Sequence, residues 1–208
     1  MQSKVALPVI RRLPRYYRCM EDLIKKGVER ISSNELADMM GSTASQVRQD
    51  FNCFGGFGQQ GIGYSTTLLY EELRKLIFQG STISAVLVGA GSLGHTIARY
   101  ISEECKGVSL VAAFDVREDL IGQSVENVPI LSMELLEAFC EEHKPKITVV
   151  CVPKDAALQM ANRIISLNIS GIWNFTHCDF SLYSDSLIVE NVHLQDSMMS
   201  LTFRINNK

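Results

Sequence analysis

The feature that most restricts the fold is six residues long. Gly89-Ala90-Gly91-Ser92-Leu93-Gly94 reads G-x-G-x-x-G. Its context gives it weight: residues 83–88 form a short apolar run that predicts a strand, and 93–101 follow a helical period. In such a unit the first glycine allows a tight turn, the second lets a pyrophosphate approach the backbone, and the third lets helix pack on strand. The helix N-terminus then offers N–H groups and a positive dipole end to phosphates. An acidic residue is expected about 20 positions on, at the end of the second strand, and Asp115 stands 21 positions after Gly94. Its carboxylate would accept from a ribose 2′-OH and repel a 2′-phosphate, which favours NAD(H) over NADP(H). Arg117 is close enough to blur that preference, or to stack on an adenine. The bland alternative is a glycine turn that binds nothing.

The rest of the second half alternates strand and helix. Strands are expected at 83–88, 109–114, 128–131, 147–152, 172–175 and 187–192. Helices are expected at 93–101, 133–140, 155–167 and 195–203. Alternating elements with near-continuous apolar strands predict an α/β domain with a parallel sheet covered on both faces.

The first 80 residues differ. Tyr16, Tyr17, Met20, Leu23, Ile24 and Val28 recur at helical spacing, with Gly27 near the end. Ser32 followed by Glu35 is a capping-box signature, so a second helix starts near Ser33 and stops at Gly41. Ser42 or Thr43 caps a third helix through Val47, Arg48 and Phe51. Two short helices joined by a glycine-containing turn form a helix-turn-helix pattern. Five glycines fall between 55 and 63. Phe57, Ile62 and Tyr64 flank Gln59-Gln60-Gly61, which reads as a small β-hairpin, or wing, against the alternative of a flexible linker. Residues 66–79 return to helix, and a boundary is expected near Gly80-Ser81.

Charge follows the same division. Residues 1–80 carry 11 Lys+Arg and 8 Asp+Glu; the remainder carries 9 and 15. A basic segment on an acidic body points to a polyanion. With the third helix in a major groove, Ser45, Gln46, Arg48 and Gln49 would face the bases, and Lys4, Arg11, Arg12 and Arg15 would meet phosphates. The competing reading is a helical dimerisation domain that never touches DNA.

Catalytic candidates are thin. His177 and Cys178 follow a strand end and read as ligand-lining or structural residues, and His95 sits beside the glycine loop. Cys140 and His143 lack a second pair for zinc, so no metal is expected. The six cysteines show no C-x-x-C spacing and read as free thiols. The N-terminal arginines have no apolar core behind them and no run approaches the roughly 20 residues of a membrane helix, so a cytoplasmic protein is expected.

Several stretches together resemble a known family. They are Arg12-Leu13-Pro14-Arg15-Tyr16-Tyr17-Arg18, Ile31-Ser32-Ser33, Gln46-Val47-Arg48-Gln49-Asp50-Phe51, Phe54-Gly55-Gly56-Phe57-Gly58 and Gly61-Ile62-Gly63-Tyr64. They continue with the glycine loop and Tyr100, Phe114-Asp115-Val116, Val152-Pro153 and Gly171-Ile172-Trp173-Asn174-Phe175. In this order they are similar to the Rex family, the redox-sensing transcriptional repressors of bacteria. The resemblance implies a winged helix for operator DNA over 1–80 and a Rossmann domain for NAD(H) over 81–192. It also implies a C-terminal helix, 193–208, swapped between the subunits of a homodimer. NADH would release the DNA and NAD+ would compete for its site. Tyr100, Val116, Val152 and Pro153 join the glycine loop, Asp115 and Arg117 as expected cofactor residues. Gln59 and Gln60 join the DNA-facing set.

The chain also departs from the family pattern. Gln49, Gln59 and Gln60 stand where basic residues are usual. Thr176-His177 replaces Ala-Pro. His193 replaces the acidic partner of the first-helix arginine, here Arg18, so the expected switch contact is chemically altered; Asp196 is an alternative partner. The expected function is a repressor sensing the NADH/NAD+ ratio, not an enzyme. The alternatives are a paralogue with a weakened or lost redox response and a small NAD-dependent oxidoreductase.

Overall fold

A computed structural model describes residues 5–55, 62–182 and 187–207. Lys4, Gln59 and Gln60 lie outside the described residues. The chain divides into two compact units, Met1–Ser81 and Thr82–Lys208.

In the first unit, α1 (Leu7–Lys25) starts well before the apolar periodicity becomes visible, because Pro8 in its first turn has the φ that a helix start requires. It is followed by β1 (Arg30–Ile31), α2 (Ser33–Met40), α3 (Ala44–Asn52), β2 (Tyr64–Ser65) and α4 (Thr66–Phe78). The capping box is present: Ser32 accepts from the Glu35 N–H while Glu35 accepts from the Ser32 N–H at 2.8 Å. Gly41 ends α2 in the left-handed region at φ 61°, where glycine carries no side-chain penalty. Thr43, not Ser42, caps α3 by accepting from the Gln46 N–H. Tyr16, Met20, Leu36, Val47, Phe51, Leu69 and Leu73 form the core between these helices.

The expected hairpin is only partly as drawn. Tyr64–Ser65 pairs antiparallel with Arg30–Ile31, upstream of the helix-turn-helix. Its tip and the other expected arm fall outside the described residues. Gly63 is required at this crossing: its φ is +76° and a Cβ would stand 2.7 Å from the Ile31 carbonyl oxygen.

The second unit contains β3 (Ile83–Val88), α5 (Ser92–Glu104), β4 (Val108–Asp115), β5 (Ser124–Val125) and β6 (Val128–Ser132). After a 3-10 turn come α6 (Leu136–His143), β7 (Ile147–Val150), α7 (Lys154–Ser166), β8 (Gly171–Asn174), β9 (Ile188–Asn191) and α8 (Leu194–Asn206). The sheet order is β5-β6-β4-β3-β7-β8-β9. From β6 to β9 every described pairing is parallel. Counting only the parallel strands from β3, this is the 3-2-1-4-5-6 order of a doubly wound dinucleotide fold.

Two expectations are corrected. β5 is an antiparallel edge strand that was not foreseen. Its two-residue turn places Glu126 and Asn127 both at positive φ, a tight hairpin without glycine. Coverage of the sheet is also unequal. α6 and α7 pack on one face, through Phe114, Leu136, Ala157 and Ile164. α5 covers part of the other through Ala98 and Ile101. Over β7, β8 and β9 that second face stays open as an apolar cleft of about 470 Å³, which Trp173 and Ile188 help to line. α8 has no buried residue and exposes Leu194, Met198, Met199, Leu201, Phe203 and Ile205.

Candidate functional site

β3 and β7 are neighbours, and a cleft of about 440 Å³ opens beyond their carboxyl ends. This is the position where the strand order reverses and where such sheets bind ligands. The three glycines have distinct geometries. At Gly89, φ is +95° and a Cβ would stand 2.6 Å from the Cys151 carbonyl oxygen. At Gly94 a Cβ would overlap the Gly89 carbonyl oxygen, so α5 can lie this close to its strand only with glycine there. At Gly91 the nearest atom would be Arg117 Nη2 at 3.9 Å, so the loop is open toward the cleft. No side chain caps the α5 N-terminus, which leaves its first N–H groups and dipole for an anion.

Asp115 ends β4 and is buried. Its Oδ2 accepts from the Ala90 N–H at 2.7 Å and its Oδ1 from the Arg117 N–H at 3.0 Å. Arg117 Nε lies 3.4 Å from the same Oδ1, and Nη2 reaches the Ala90 carbonyl at 3.4 Å. The carboxylate thus holds the glycine loop while keeping lone pairs for ribose hydroxyls. An open cradle, uncapped amides and a carboxylate at the neighbouring strand end fit the adenosine-diphosphate part of NAD(H).

Gly89, Gly91, Asp115, Val116, Arg117, Val152 and Pro153 line this cleft. Ala90 and Gly94 are buried beneath it, Ser92 and Leu93 open α5, and Tyr100 is half exposed further along that helix without lining the cleft. Sequence reasoning missed Met133 and Cys151, whose signal was their position just after the carboxyl ends of β6 and β7, and Ala156 and Met160, which reach the cleft from the first turns of α7. Burial pushes the Cys151 thiol up to about 12, so it remains a neutral wall.

In the first unit, Ser45, Arg48 and Gln49 stand exposed on α3, and Arg11, Arg15 and Arg18 on α1. Arg48 Nη1 donates to Ser33 Oγ at 2.9 Å, which ties α3 to the start of α2. Arg12 and Gln46 have inward roles instead of freely exposed ones. Arg12 donates to Asp50 through Nε and Nη2 at 2.6 and 2.7 Å, Tyr16 donates at 2.9 Å and Gln46 at 2.8 Å. The reason is the buried Asp50 carboxylate, which requires donors. Arg18 and His193 belong to different units. His193 precedes α8, and its described partner is Asp196, with Nδ1 3.2 Å from Oδ2.

A helix-turn-helix and a dinucleotide cleft on one chain define a ligand-responsive transcription regulator. Residues 4–52 match a family model described as "Putative DNA-binding protein N-terminus", and residues 81–178 one described as "CoA binding domain". The chain is 44% identical to the redox-sensing transcriptional repressor Rex of Thermoanaerobacter pseudethanolicus, over the whole chain and 92% of that relative. It is 46% identical to the Rex of Caldicellulosiruptor saccharolyticus, over the whole chain and 94% of that relative. A crystal structure of RSP in complex with beta-NAD+ and operator DNA matches with a TM-score of 0.91 and 44% identity, over 99% of this chain and 94% of that one. One of RSP with beta-NADH matches with a TM-score of 0.89 and 42% identity, over 99% and 96%. The chain belongs to the Rex family of redox-sensing transcriptional repressors.

Proposed function

We propose that this chain is a cytoplasmic, homodimeric repressor that binds operator DNA through α2 and α3 and is released from it when NADH fills the cleft of the second unit. The observation that carries the reading is the open backbone at Gly91 beside the buried Asp115. The α5 amides would hold the pyrophosphate and Asp115 would accept from the adenosine ribose. Arg48, Gln49 and Ser45 would face bases, with Arg11 and Arg15 on phosphates. When bound, the nicotinamide supplies the difference between the redox states, a positive ring charge present only in NAD+. A response requires that the two dimer geometries contact that ring differently.

The exposed apolar face of α8 and the open sheet face beside Trp173 support a second copy as the partner. Among the described residues lining the cleft, the Cys151 thiol is held neutral by burial and the Asp115 carboxylate is engaged by the glycine loop. The deciding experiment is operator binding titrated with NADH and with NAD+. NADH should weaken binding at least tenfold without being consumed. Indifference to NADH would favour a paralogue without redox sensing, a reading that the His193–Asp196 contact supports. Steady NADH oxidation would favour an oxidoreductase.

A further inference from the structure

Two histidines that no spacing rule pairs meet at the carboxyl edge of β8 and β9. The His177 and His193 ring centroids are 5.5 Å apart with planes inclined by 31°. The loop carrying His177 is fixed from below. Buried Asn174 donates to the Cys178 carbonyl and to Asn191 Oδ1, both at 2.7 Å, and accepts from the Thr176 N–H and hydroxyl. His193 is fixed by Asp196. An ionised carboxylate only accepts, so Nδ1 carries a proton, and in the neutral ring Nε2 is the electron-pair donor. That Nε2 is buried and has no hydrogen-bond partner among the described residues.

A carboxylate that sets the tautomer, with the far nitrogen left as an electron-pair donor, is the support that histidine metal ligands typically have. Two imidazoles on one tetrahedral ion, at metal–nitrogen distances of about 2.0–2.1 Å, place their ring centres about 5 Å apart. The observed separation is close to that. We infer that His177 and His193, with Asp196 behind His193, bind a divalent transition-metal ion of the imidazole-preferring kind, such as zinc, nickel or copper. No three His, Cys, Asp or Glu side chains converge among the described residues. The protein therefore supplies two donors, the rings part at the buried Nε2 to admit the ion with the water that completes its shell, and affinity is lower than at a four-ligand structural site. Asp179, whose Oδ1 accepts from the Ser181 N–H and hydroxyl, adds negative charge on the same loop. Because His193 immediately precedes α8, a bound ion ties the origin of that helix to the loop after β8.

The test uses the metal-free full chain and needs neither NADH nor operator, so its outcome is separate from that of the proposed function. Zinc titrated by calorimetry should bind once per chain. His177→Ala and His193→Ala should each weaken it at least tenfold, and Asp196→Asn about 10–100-fold. His143→Ala, on α6 and stacked on Phe139, should leave it unchanged. Far-UV circular dichroism checks that each variant is folded, and imidazole NMR of the wild type should show zinc shifting the His193 Nε2 signal. Absence of zinc binding, binding that survives both histidine substitutions, or rings that exchange a proton without responding to zinc overturns the proposal.

Discussion

Gly91 and Gly94 are three residues apart, yet alanine should do opposite things at them. A Cβ at Gly91 meets no protein atom closer than 3.9 Å, whereas at Gly94 it overlaps the Gly89 carbonyl. Gly91→Ala should therefore fold with a melting temperature near that of the wild type and lose NADH affinity at least tenfold, because the new methyl group occupies the path of the pyrophosphate. Gly94→Ala should lower the melting temperature itself, at a cost of about 1–3 kcal/mol for overpacking. Calorimetry and thermal melts separate the two, and equal melting temperatures would refute the packing role of Gly94. Asp115→Ala should weaken NADH by about 1–3 kcal/mol through loss of a charged acceptor. These glycine roles were legible in the sequence because strand, turn and helix are contiguous there. Met133, Cys151, Ala156 and Met160 were not, because they reach the cleft from other strand ends and from α7. That Arg12 and Gln46 also hold Asp50 was not legible, because an exposed helix face does not report what satisfies a buried carboxylate.

Asp50 links elements: from inside α3 it binds Arg12 and Tyr16 of α1. Burial alone would raise its carboxyl, but the hydrogen bonds from Arg12, Tyr16 and Gln46 outweigh that and hold it below the ordinary value. A depressed folded value means the contribution is fully present above the unfolded carboxyl value of about 3.9 and is lost as pH falls through the folded one. Asp50→Asn should cost about 2–3 kcal/mol at neutral pH, since it removes one member of a largely buried charged pair. The gap between variant and wild type should begin to narrow below about pH 4 and close as pH falls through the folded value. Hydrogen exchange of the α1 and α3 peptides in the full chain, corrected for intrinsic rates, reads this directly. A gap that persists unchanged at low pH would show that the Asp50 charge is not what joins the helices. Local signals gave away the start of α2 and the cap of α3. The Asp50 cluster joins residues 38 positions apart, a distance at which no periodicity or capping rule reports, and the β5 hairpin lacks the glycine that usually marks one.

At the scale of the whole molecule the unexplained quantity is apolar surface. α8 leaves Met198, Met199, Leu201, Phe203 and Ile205 each at least half exposed, on a helix with no buried residue. Burying such a side chain is worth about 1.5–3 kcal/mol, so a chain that left all of them in water would forgo a sum comparable with a domain's net stability. The proposed homodimer removes this deficit by giving α8 a second copy to pack against. It also supplies the two-fold symmetry that a palindromic operator requires, with one helix-turn-helix for each half-site. Met199→Glu combined with Phe203→Glu places two charges on the same helix, where burial would desolvate them. Light scattering should then report a monomer. Operator affinity should fall by about 10²–10⁴, because the second half-site is no longer held at high effective concentration. NADH binding should survive, because neither Met199 nor Phe203 is among the residues that line the cleft. A double variant that remains dimeric would remove α8 from the interface, and one that is monomeric but binds operator as tightly as the wild type would show that dimerisation is not what reads the palindrome.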